Sequence, residues 1–221
     1  MTLYVIAGII YLAVLAGLSA VCCNDTLKDR FYIPVKMAES TLFLVLAAAI
    51  ACHNSAFDRP AVISLMIGLV MCHIGDLAMG CYNIRRKKRF MACGMGFFMA
   101  AHVCFLIYMY ALDPAVDIIS ITAPVAVLVV GPIILAGLRL HMGKLRIPVI
   151  IYAVFVTAFA SKAVMVSEIA MVAGILFWLS DVSLLFLYFF HLRSKRSSRM
   201  IHVFNLVTYY VAIGALIGTM V

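Results

Sequence analysis

Charged side chains are scarce in this 221-residue chain, at 12% of the total against roughly 25% in soluble domains. Acids are the rarest of them, nine Asp and Glu beside seventeen Lys and Arg. No long polar tract or linker is present, which excludes an appended soluble domain. The seven cysteines, Cys22, Cys23, Cys52, Cys72, Cys81, Cys93 and Cys104, form no C-x-x-C pair, so neither a structural zinc site nor a redox pair is indicated. Most of them fall in apolar stretches and read as small packing residues, although Cys22 and Cys23 are placed where acylation is feasible. What the chain has instead is apolar surface: 67% hydrophobic residues and a mean hydropathy of +1.16. A water-soluble fold of this size cannot hide that much. Soluble enzyme, disordered chain and disulfide scaffold are therefore excluded, and the chain reads as an all-α polytopic membrane protein.

A spanning helix needs about 20 mostly apolar residues at about 1.5 Å each. Such stretches fall near 2–21, 34–52, 60–82, 90–111, 116–138, 147–166, 168–191 and 200–221, giving a bundle of eight helices in a single transmembrane domain, 1–221. The first stretch lacks a basic n-region and a small-residue cleavage pattern, so it reads as a span and not as a cleaved signal. The sixth and seventh stretches are divided only by Ser161, Lys162, Ser167 and Glu168, which leaves a seven-helix count open.

The basic residues favour eight. With eight spans, Lys28, Arg30 and Lys36, then Arg85 to Arg89, then Arg139, Lys144 and Arg146, and finally Arg193, Lys195, Arg196 and Arg199 all fall on one side. These are fifteen of the seventeen, leaving Arg59 and Lys162 opposite. By the positive-inside rule the basic loops are cytoplasmic and both termini lie on the other side. In loops this short, the +8 net charge reads as topology and attraction to the anionic headgroups of the bilayer. No nucleic-acid partner is indicated.

An ionisable group inside a span is costly and tends to be functional. Asp25, Asp29, Asp58 and Asp113 belong to loops or span ends, and Asp117 and Glu168 lie near the outer boundary. Glu39, Asp76 and Asp181 remain. Counted along the helix from Arg85 and Arg30, Asp76 and Glu39 lie roughly 14 Å deep, and from Arg193 and Arg89, Asp181 lies roughly 18 Å and His102 roughly 20 Å deep. Asn205 and Tyr209 follow Arg199 by roughly 9 and 15 Å. Five helices thus place polar groups in one layer, in the cytoplasmic half. Ser64, Thr157, Asn205 and Thr208 have the simpler reading of hydrogen bonding between helices. His73 precedes Asp76 by three residues, on the same helical face, and is placed to hold that carboxyl. His53, His141, His191 and His202 fall at span ends or in loops. The segments Ile74-Gly75-Asp76 and Leu179-Ser180-Asp181 resemble each other and suggest a weak parallel 4+4 repeat, with the two aspartates facing one another near its axis.

These elements resemble the YhhN family of integral membrane proteins. The likeness rests on Gly68-Leu69, Ile74-Gly75-Asp76-Leu77, the basic loop, Gly94, Phe97-Phe98 and Ala101-His102. It continues through Gly174 to Phe177, Leu179-Ser180-Asp181 and Tyr209-Tyr210, with Lys36, Pro148 and Tyr152 as further matching positions. One position departs: Met37 follows Lys36 where the family commonly has proline. The resemblance implies a lysoplasmalogenase-like hydrolase acting on a lysophospholipid. Such an enzyme cleaves a vinyl ether to a fatty aldehyde and a glycerophospho-alcohol, and needs no cofactor or metal.

That chemistry suits the residues. Vinyl ether hydrolysis starts with protonation of the β-carbon, water captures the oxocarbenium ion, and the hemiacetal collapses. One carboxylic acid and one carboxylate are required, as in glycoside hydrolysis. Asp76 and Asp181 are the expected catalytic pair. His102, with Tyr209 or Asn205, is expected to position water or the leaving oxygen, His73 to support Asp76, and Lys36 with Glu39 to meet the headgroup phosphate. A proton-coupled transporter of small molecules or lipids using the same aspartates is the competing class. The Tyr-Asp and Gly-x-Gly-Asp signatures of an intramembrane aspartyl protease are missing, and only His73 and His102 lie deep enough to serve a zinc hydrolase.

Overall fold

The computed structural model describes residues 2–54, 59–137, 142–190 and 194–221. Among them are eight α-helices and no strand: α1 (Thr2–Cys23), α2 (Asp25–His53), α3 (Pro60–Arg85), α4 (Lys88–Leu112), α5 (Ile118–Gly137), α6 (Arg146–Val166), α7 (Glu168–Phe189) and α8 (Lys195–Gly218). All eight are long and apolar enough to cross a bilayer. Asp58, Arg139, His141, His191, Arg193 and the side chain of Lys144 lie outside the described residues.

Local chemistry explains the helix ends. The division between the sixth and seventh spans falls at Ser167, whose backbone is extended and whose hydroxyl accepts from Ala170 N. Glu168 follows in the first turn, where a carboxylate suits the helix dipole. This break settles the count at eight. Pro60 opens α3 from the first turn, the one place its missing N–H costs nothing.

Two expected boundaries move outward. The start of α2 is at Asp25, not near 34, because Asn24 caps it by accepting from Thr26 N and Leu27 N. Pro34 is then interior, as spanning helices tolerate. Lys36, expected at the entrance of the second span, is eleven residues inside α2 and buried. Likewise α8 starts at Lys195, capped by Ser194, so His202 is a buried residue of the helix and not a span-end histidine.

The chain divides into two compact units. Unit 1 comprises Met1–Ala101 with Met220–Val221, and unit 2 comprises His102–Thr219. The boundary runs through α4 and not through the α4–α5 connection.

In unit 1, α2 packs on α1 and α3. Leu18, Phe43, Ala47, Leu65, Leu69 and Cys72 are completely buried there. The Phe98 ring of α4 lies against Gly75, where a Cβ would come within 3.0 Å of it. Asn54, at the end of α2, donates to the carbonyl of Met220 at 3.2 Å.

In unit 2, α5 packs on α6, α6 on α7, and α7 on α8. A Cβ on Gly174 would lie 2.8 Å from Ala163 Cβ and 3.1 Å from the Ala160 backbone, so α6 and α7 touch through small residues. Much of α5 is left exposed, Ile118 at 76% and Ile133 at 69%, as expected of a lipid-facing helix.

A lysine fastens the α4–α5 connection to α6. Lys162 Nζ donates to Asp113 Oδ2 at 2.7 Å, to the Ala115 carbonyl at 2.7 Å and to Asp117 Oδ2 at 3.4 Å. The Tyr110 ring lies 5.0 Å from the same ammonium. The hydrogen bond from Lys162 and a second from Ala115 N hold the Asp113 carboxyl below its ordinary range. A depressed carboxylate pKa stabilises the fold above the unfolded value, about 3.9, and that contribution is lost as pH falls through the folded value. Asp113→Asn is therefore expected to melt below wild type near neutrality, with the gap closing as the pH drops below about 4. The gap is small because Asp113 is one-third exposed and screened. Melting in detergent across pH reads it, and a gap that persists at low pH would contradict the assignment.

Candidate functional site

Each unit holds one buried carboxyl cluster. In unit 1, Lys36, Glu39, Ser40 and Phe43 share a face of α2 by their spacing of three and four residues. That face meets the stretch of α3 carrying His73 and Asp76. Lys36 Nζ stands 2.6 Å from Asp76 Oδ1, an ion pair between side chains that are 7% and 0% exposed. Glu39 lies one turn further along α2, completely buried, near enough to interact electrostatically with Asp76, Lys36 and Tyr11. Its two carboxyl oxygens make no hydrogen bond among the described residues. His73 does not support Asp76 as expected: its Nδ1 is bonded to Ser40 Oγ at 2.6 Å, so it ties α3 to α2. Two carboxyls thus share one ammonium in a region closed to water.

In unit 2, Asp181 is presented by α7. His102 Nε2 approaches its Oδ2 at 3.7 Å, an electrostatic contact beyond hydrogen-bond length. The Tyr152 hydroxyl is within hydrogen-bonding reach of the same carboxyl. His102 is completely buried in an aromatic box, its ring centroid 5.2 Å from Phe177, 5.6 Å from Tyr152, 5.7 Å from Phe159 and 6.1 Å from Phe105. The box leaves the imidazole little freedom to turn. Tyr209 packs edge-on against Phe177 at 5.5 Å, so it braces the box.

Of the two readings of Asn205, the hydrogen bond between helices is the one seen. Its amide donates to Ser180 Oγ at 2.7 Å and to the Ser180 carbonyl at 3.0 Å, pinning α8 to the residue before Asp181. That is the helix-bridging reading. Thr208, by contrast, bonds to carbonyls of its own helix, Phe204 and Asn205.

A cavity of about 210 Å³ opens beside Asp181, between α5, α6 and α7. Its walls are apolar, among them Val127, Ile134, Val149, Val156, Val182 and Leu185. Asp181 is the one carboxyl among the described residues that line it, and the Tyr152 phenol lines it as well. Among the described residues no three His, Cys, Asp or Glu side chains converge as a metal-binding group would.

Of the residues singled out in the sequence, the structure joins Lys36, Glu39 and Asp76 in unit 1, and His102 and Asp181 in unit 2. Ser40 and the Lys162 clamp were not foreseen. Ser40 carries a signal, four residues after Lys36 and hence on the same face. The partners of Lys162 follow no helical spacing and are legible only in the fold.

Fold and site together define an all-helical, multi-pass membrane protein with ionisable clusters buried within its helices. The model of the YhhN family matches residues 31–219, nearly the whole chain, and the protein belongs to that family. No curated protein and no solved structure matches it.

Proposed function

We propose that this protein is a lysoplasmalogenase-like hydrolase. It cleaves the vinyl ether of a lysophospholipid to a fatty aldehyde and a glycerophospho-alcohol, with the basic loops cytoplasmic. The observation that carries the reading is Asp181: a carboxyl at the wall of an apolar cavity, beside a fixed histidine and a tyrosine hydroxyl. An alkyl tail fits such walls, and its reactive bond is then offered to an acid out of bulk water.

Asp181 is the proton donor in this reading. It protonates the β-carbon of the vinyl ether, and the oxocarbenium ion that results is captured at the α-carbon by water. The captured water gives one proton back to the Asp181 carboxylate, and the resulting hemiacetal collapses to the aldehyde as its hydroxyl proton passes to the departing glycerol oxygen, so the net change is hydrolysis of the C–O bond by one water. His102 acts through Asp181 as a positioning residue, because the 3.7 Å separation and the aromatic box fix the direction of the carboxyl. In unit 1, taken by itself, Lys36 is the cation that balances Asp76 and Glu39.

The test is turnover by purified full-length protein of lysoplasmenylethanolamine, with the acyl lysolipid of equal chain length alongside. Aldehyde release from the vinyl ether alone supports the reading. Transport across proteoliposomes without aldehyde release would replace it with the transporter reading.

A further inference from the structure

Two cavities lie end to end along the contact of α6 and α7. The first, about 210 Å³, carries Asp181 and reaches along α6 from Val149 to Thr157. The second, about 290 Å³, continues along α6 from Thr157 to Val164. Thr157 and Trp178 line both. Across the seam Trp178 Nε1 donates to Thr157 Oγ1 at 3.2 Å, so a latched indole separates one chamber from the other.

The lengths give the partition a meaning. Tyr152 is level with Asp181, and from there to Thr157 is about 7.5 Å of helix, whereas to Val164 is about 18 Å. A lipid tail spans half of the roughly 30 Å hydrocarbon core, or about 15 Å. With the latch closed, the slot beyond Asp181 takes about half a tail. With it open, the slot takes a whole one. Trp178 is 39% exposed, which leaves the indole room to swing outward.

We propose that Trp178 is a specificity-determining residue: the tail of a single-chain lipid lies in the α6–α7 groove beyond Asp181, and the Trp178–Thr157 latch sets the tail length that fits. This rests on the proposed function only in assigning the tail to a vinyl ether lysolipid. Saturated 1-O-alkyl lysophosphoethanolamines, which hold no vinyl ether to protonate, separate the two ideas. Their binding is read by displacement of a fluorescent alkyl probe from full-length protein in nanodiscs, across a decyl to eicosyl series.

Compared at equal mole fraction in the nanodisc, so that partition into the bilayer cancels, wild-type affinity is expected to rise while the tail still gains groove wall to contact, then to level off at the indole. In Trp178→Ala the rise continues to longer tails. Thr157→Val, which keeps the volume and removes the latch, shifts the plateau in the same direction by less. Adding Ile175→Trp to Trp178→Ala refills the second chamber and restores the shorter plateau. An unchanged plateau in both Trp178→Ala and Thr157→Val overturns the inference. A shifted plateau without aldehyde release from the vinyl ether series would leave the inference standing and sink the proposed function alone.

Discussion

Asp181→Asn is expected to lower the kcat of aldehyde release by about 10²–10⁴-fold, the usual contribution of a general acid. The amide has nearly the shape of the carboxyl and keeps a partner in Tyr152, so the walls of the cavity and the helix contacts through Ser180 and Asn205 should survive. Melting temperature and elution profile in detergent would then resemble wild type, while turnover falls. An asparagine cannot give a proton to carbon, so no change of substrate concentration restores the rate. Full turnover by Asp181→Asn would remove the acid from this residue and with it the mechanism.

Lys36→Met is expected to produce the largest loss of stability. Removing one member of a buried ion pair costs about 3–5 kcal/mol, because the abandoned charge stays in a medium that cannot solvate it. The cluster here is lopsided. Removing Lys36 takes from Asp76 its ion pair at 2.6 Å and from Glu39 the ammonium that offsets its charge, whereas Asp76→Asn leaves Lys36 with Glu39 still close by. The lysine substitution should therefore cost more than the aspartate substitution. The double variant Lys36→Met/Asp76→Asn should cost less than the sum of the singles. Reversible unfolding of the three variants in one detergent reads this as a coupling energy. Simple additivity would mean that the pair contributes nothing beyond its separate residues.

Much of the fold was legible because hydropathy and charge obey rules that need no tertiary knowledge. The eight spans follow from apolar runs, and the doubtful division at Ser167 needed only the parity of the basic loops. The starts of α2 and α8 were not legible in that way. Their first turns hold Lys28, Arg30 and Arg196, which interrupt an apolar run without interrupting a helix, and the caps Asn24 and Ser194 set the true starts.

At the sites, depth along a helix identified Glu39, Asp76, Asp181 and His102 as buried, because axial rise alone carries that information. Partners are decided by rotation about the axis and by the neighbouring helix. That is why Lys36 moved from an entrance to an ion pair, His73 turned to Ser40, and Asn205 was taken up by Ser180. The length latch at Trp178 was hidden for the same reason, as Thr157 and Trp178 meet only when α6 and α7 pack level by level.

The order in which helices meet has a consequence for biogenesis. In both units the most extensive packing is between neighbours along the chain, α1 with α2, α2 with α3, then α5 through α8 in succession, while in unit 2 the α4 residues His102 and Phe105 also meet α6 and α7. Each of those neighbouring pairs can therefore form with little loop to close. Unit 1 contains a longer connection, for Met220 belongs to it and is bonded by Asn54 across 166 residues. The three whole helices of that unit and the first part of α4 can be in the bilayer early, yet its bond to residue 220 must wait until that residue has left the ribosome. A buried ion pair and an unbonded Glu39 are thus assembled in a unit that is finished late, and any quality control that acts on exposed intramembrane charge has that interval in which to act.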